Sequence, residues 1–93
     1  MKLLGKKEYS IFGVKHKLIY FNNSHRQDVA MGKSDCKDCV IRLCNDMPFE
    51  MQEQTLLHEV VHLIDMNLSL KFSEEQVNAL ATGLYSFIKE NKL

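Results

Sequence analysis

The feature that most restricts this 93-residue chain is a change of hydrophobic period around its single proline, Pro48. Before it, Cys39-Val-Ile-Arg-Leu-Cys44 alternates, with Cys39, Ile41 and Leu43 on one face and Val40, Arg42 and Cys44 on the other. That two-residue repeat predicts a strand. After it, Leu56, Leu57, Val60, Val61, Leu63 and Ile64 share one broad face of a helical wheel. Asn45-Asp46-Met47-Pro48 offers a capping residue and a first-turn proline, so a helix is expected from here to about Met66. A loop over 67–72 leads to a second helix with a clear start. Ser73 and Gln76 form a capping box, with Phe72 and Val77 as the hydrophobic staple around it. Val77, Leu80, Ala81, Leu84 and Ile88 then continue a helical stripe.

The first half reads as strands and turns. Tyr9-Ser-Ile-Phe-Gly-Val14 is expected as a strand, Leu18-Ile-Tyr-Phe21 as a short apolar run, and Asn22-Asn-Ser-His25 as a turn. A short strand is expected around 29–32. Phe12, Tyr20 and Phe21 read as core, and His16, between Lys15 and Lys17, as part of a solvated turn. The expected fold class is α+β: a small antiparallel sheet of about three strands, then two packed helices, in one domain over 1–93.

Charge and cysteine content remove several function classes. Twelve basic and twelve acidic residues cancel, so nucleic acid is an unlikely partner. The charges are unevenly placed: residues 1–34 hold seven basic against two acidic residues (+5), and the remainder holds five against ten (−5). We read this as two halves attracting each other. No apolar run approaches the roughly 18–20 residues that span a bilayer, so no membrane partner is expected. Three cysteines without a secretory context point to a cytoplasmic chain with reduced thiols. Cys36, Cys39 and Cys44 with His25 are too unevenly spaced for a structural zinc site, and read as structural thiols.

The chemistry is concentrated in the first helix. Leu57-His-Glu-Val-Val-His-Leu63 is an HExxH sequence, placing His58 and His62 one turn apart on the same side. Two imidazoles roughly 5–6 Å apart can hold one metal ion. Glu59 lies on another azimuth, where it can reach a metal-bound water as a general base. Either Glu74 or Glu75 can be the third ligand, and the second helix decides between them. Glu74 lies about 60° and Glu75 about 160° from the centre of the apolar stripe, so Glu74 looks toward the partner helix. Asn78, one turn on, is placed to hydrogen-bond a metal-bound histidine. Asp65 stands on the histidine side as a supporting or plain surface residue, and as the runner-up ligand.

Thr55-Leu-Leu-His-Glu-Val-Val-His-Leu-Ile-Asp65, followed by Ser73-Glu-Glu-Gln-Val-Asn-Ala-Leu-Ala-Thr-Gly-Leu-Tyr85, resembles the ImmA/IrrE-like zinc metallopeptidases, most closely the short versions carried by phages and other mobile elements. The resemblance covers roughly residues 36–91. It implies a minimal zincin fold with Zn2+ held by His58, His62 and Glu74, Glu59 as catalytic base, and Asn78 in support. It also implies an edge strand, here about residues 39–44, lying antiparallel to a bound peptide. The partner would be a protein or peptide substrate, such as a regulatory protein of a mobile element, in the cytoplasm of a bacterial host. The chain is short for this family, and no oxyanion-stabilising group is evident; Tyr9, His16, His25 and Tyr20 remain candidates, while Tyr85 lies too far along the helix. The competing expectation is a zinc-stabilised protein-interaction module without catalysis. A core this small also leaves room for a homodimer.

Overall fold

Ile11 and Val14 face each other across a turn whose two central residues, Phe12 (φ 51°) and Gly13 (φ 79°), are both left-handed. That is the type I′ geometry whose twist matches a two-residue hairpin. It splits the run expected as one strand over 9–14 into the end of β1 (Glu8–Ile11), the turn and the start of β2 (Val14–Phe21). The structure is a computed structural model describing residues 3–22, 32–35 (as backbone) and 39–93. Its remaining elements are β3 (Gly32–Asp35), β4 (Val40–Cys44), α1 (Phe49–Leu68) and α2 (Glu74–Glu90). Of the short strand expected around 29–32, only Gly32 falls among the described residues, as the first residue of β3.

The α+β architecture, a small sheet followed by two helices, is as expected. The sheet differs in detail: among the described residues it has four strands in the order β1-β2-β4-β3, and it is mixed. β1–β2 and β3–β4 are antiparallel, whereas β2 and β4 run parallel, with Leu18 opposite Ile41 and Tyr20 opposite Leu43. The expected edge strand over 39–44 is therefore corrected. β4 is interior, and β1 and β3 are the edges. β4 pairs with β2 on one side and β3 on the other, and its residues are correspondingly covered: Ile41 and Leu43 are fully buried on one face, and Val40 and Cys44 are buried on the other around half-buried Arg42.

In the middle of β2, His16 and Leu18 turn inward. His16 is 2% exposed, with its Nδ1 3.0 Å from the Val14 carbonyl, and Leu18 packs against the core. The solvated turn expected around His16 is thus a buried strand position. Phe12 at the hairpin tip (58% exposed) and Tyr20 (43%) are exposed rather than core.

α1 lies between the sheet and α2, and α2 packs on α1 without touching a strand among the described residues. Pro48 itself caps α1, with no side-chain cap; the side chain of Gln52 instead donates to the Met47 carbonyl at 2.9 Å. The start of α2 matches the sequence reading: Gln76 N–H donates to Ser73 Oγ (3.1 Å) and Ser73 N–H to Gln76 Oε1 (2.9 Å). Val77, Ala81 and Tyr85 are buried, but Leu80 and Leu84 are each 44% exposed. The expected stripe is rotated because, among the described elements, α2 packs on α1 alone and buries the side that faces it.

Candidate metal centre

His58 and His62 project from adjacent turns of α1 with ring centroids 4.8 Å apart and planes at 67°. α2 returns antiparallel, and its capping box makes Glu74 the first residue of that helix. This carries a carboxylate, 16 positions away in sequence, onto the two rings. His58 Nε2 stands 2.8 Å from Glu74 Oε1, His62 Nε2 stands 3.2 Å from Glu74 Oε2, and the two Nε2 atoms are 3.2 Å apart. One turn along α2, Asn78 Oδ1 lies 3.3 Å from His58 Nδ1.

With Asn78 oriented so that its Oδ1 faces His58, the amide oxygen accepts and His58 Nδ1 is the donor. In a neutral imidazole the other nitrogen, Nε2, then holds a bare lone pair. That lone pair meets a carboxylate oxygen, a second acceptor, at 2.8 Å. Two acceptors at this distance need a cation between them, either a proton or a metal ion. The group His58, His62 and Glu74 offers one ligand atom each, all within 4.8 Å of one another, and can hold a metal ion. Bonds of about 2.0–2.2 Å at tetrahedral angles set donor separations of roughly 3.3–3.6 Å. The two Nε2 atoms, at 3.2 Å, and His62 Nε2 to Glu74 Oε2, at 3.2 Å, lie close to that, while His58 Nε2 to Glu74 Oε1 is shorter, at 2.8 Å. His58 and His62 are half-buried and the Glu74 side chain is 70% exposed, so the cluster opens to solvent. Two imidazoles and one carboxylate with an open side form a donor set that can take a divalent metal ion.

The other described residues singled out in the sequence lie outside the His58, His62 and Glu74 group. Glu59 is buried, 6% exposed, directly after the first histidine. Glu75 is exposed in the first turn of α2, outside the cluster. Asp65 is also outside it: its Oδ1 accepts the Phe72 N–H at 3.3 Å. Cys39 is half-buried and Cys44 buried, while Cys36 and His25 lie outside the described residues. Tyr9 donates to the Leu3 carbonyl.

One polar group was not anticipated. Glu53, 4% exposed in α1, accepts from the buried Tyr85 hydroxyl at 2.9 Å, and Lys89 Nζ stands 3.9 Å from the same oxygen. Burial, then the hydrogen bond to Glu53 and the negative charges of Glu53 and Glu50, push the Tyr85 hydroxyl up to about 12. The signal was present: Glu53 lies one turn before Leu56 and Leu57, in the middle of the apolar face of α1. A carboxylate there needs a buried donor. This bond occupies the Tyr85 hydroxyl and keeps it away from the histidines.

No family model matches the chain, and no curated protein or solved structure was found similar to it.

Proposed function

We propose that this chain is a zinc-dependent peptidase of the HExxH type, similar in plan to the ImmA/IrrE-like enzymes. The observation that carries the reading is the convergence of His58 Nε2, His62 Nε2 and the Glu74 carboxylate from two helices, with Asn78 Oδ1 beside His58 Nδ1. A bound zinc ion supplies a Lewis acid and an acidified water at neutral pH. His58, His62 and Glu74 would hold it, and the exposed side of Glu74 would leave room for a peptide carbonyl. Asn78 keeps the His58 lone pair directed at the site. Glu59 is the residue that would take the proton of the attacking water and return it to the leaving amine nitrogen. The substrate class would be an extended protein segment, such as an exposed loop of a regulatory protein.

The second reading, a zinc-stabilised interaction module, is favoured by the uncovered apolar residues Leu80, Leu84 and Phe87 on α2. The Glu59→Gln protein separates the two. On the peptidase reading it keeps its zinc and loses cleavage of an unstructured protein such as casein. Undiminished metal-dependent cleavage by Glu59→Gln would sink the mechanism, and zinc binding by a wild type that cleaves nothing would favour the module.

A further inference from the structure

Resting on the metal reading, we infer that Asp65 is the positioning residue for Glu74, acting through the loop that joins the two helices and not as a ligand. Glu74 cannot be held in place by its own packing, since its side chain is 70% exposed. Its position is inherited from where the backbone of α2 begins. That start is set by a short loop with two left-handed residues, Ser69 (φ 54°) and Lys71 (φ 59°). Neither is glycine, so the loop adopts backbone conformations that its own residues disfavour.

Asp65 holds this loop at three amides. Its carbonyl accepts from Ser69 N–H, the capping bond of α1, and from Leu70 N–H at 3.2 Å. Its carboxylate Oδ1 accepts Phe72 N–H at 3.3 Å. Phe72 directly precedes the Ser73 cap, and its ring packs against the core. A single residue one turn after His62 therefore ties the end of the histidine helix to the start of the glutamate helix. The carboxylate bond is the part that side-chain chemistry controls, and it sits two residues before the ligand.

The test is zinc affinity of the full-length chain, measured by competition with a chromophoric chelator. It uses wild type, Asp65→Ala, Asp65→Asn, Glu74→Ala and the double variant Asp65→Ala/Glu74→Ala. Asp65→Ala is expected to weaken zinc binding about tenfold, as losses of supporting residues around a metal do. Asp65→Asn keeps the accepting oxygen and is expected to stay within about threefold of wild type. In the Glu74→Ala background the Asp65→Ala change is expected to have no further effect, because its influence passes through the missing ligand. Amide hydrogen exchange on the unmodified chain adds a readout that needs no variant: Phe72 N–H should exchange more slowly than that of exposed Lys71.

Unchanged affinity in Asp65→Ala, equal weakening in Asp65→Asn, a full loss persisting without Glu74, or an unprotected Phe72 amide each overturns the inference alone. Equal zinc affinity in wild type and Glu74→Ala overturns Glu74 as a ligand, and no zinc uptake by wild type overturns the metal reading; either result takes this inference with it.

Discussion

Adding zinc at about one hundred times its dissociation constant is expected to stabilise the folded chain by about 2.7 kcal/mol, because the ion binds donors that only the folded state assembles. The structure says why the dependence on folding should be strong. His58 and His62 share one helix, but Glu74 meets them at 2.8 and 3.2 Å only while α2 packs on α1. For a domain of this size each kcal/mol moves the melting temperature by about 4–8 °C, so the expected rise is roughly 11–22 °C. Glu74→Ala leaves two imidazoles on adjacent turns of a single helix. If the affinity falls about a hundredfold, the same zinc concentration only equals the new dissociation constant. The stabilisation then shrinks to about 0.4 kcal/mol and the rise to roughly 2–3 °C. The assay is thermal unfolding by circular dichroism of chelator-treated protein, with zinc added back in steps. A wild type whose transition ignores zinc would refute the metal centre. A Glu74→Ala protein with the full rise would refute Glu74 as the third ligand while leaving the histidine pair standing.

Further outcomes are expected for Tyr85, Phe12 and Ser73. Tyr85→Phe removes a buried hydrogen bond to a carboxylate and should cost about 1.5–3 kcal/mol by urea unfolding, since Lys89 at 3.9 Å is a weak substitute; a cost below about 0.5 kcal/mol would contradict the buried bond. Tyr85 should also be the last tyrosine to titrate, with its phenolate absorbance rising near pH 12. Because its folded value is raised above the ordinary 10, its contribution to stability is complete below pH 10 and fades as pH rises toward about 12, which alkaline melting curves can follow. Phe12→Asn should raise stability by about 0.5–1 kcal/mol, because asparagine tolerates the left-handed position that an exposed phenylalanine now occupies; a lower denaturation midpoint would count against the turn assignment. Ser73→Ala should cost about 1 kcal/mol through loss of the cap and should also weaken zinc binding, since Glu74 follows directly.

What the sequence determined by itself was local. Ser73 and Gln76 define a helix start because both halves of the capping box lie within four residues, and the structure shows both bonds. The alternation of residues 39–44 and the helical period after Pro48 likewise report on neighbours a few positions apart. The same holds for His58 and His62, whose one-turn spacing puts them on one side of any helix. With the azimuth of Glu74 on α2, that placed all three members of the cluster that can hold a metal ion.

Tertiary structure decided whatever depends on which surface each element meets. Strand direction is one case: nothing in the period of β4 states that it runs parallel to β2 or lies inside the sheet, because alternation is the same in either direction. Burial of His16 is another, since flanking lysines on the opposite face of a strand say nothing about what covers the histidine. The exposure of Leu80 and Leu84 follows from α2 packing, among the described elements, on α1 alone. Asp65 shows the limit most plainly. Its place on the histidine side of the wheel suited a ligand, yet its oxygen is taken by the Phe72 amide, because loop closure decides where α2 can begin.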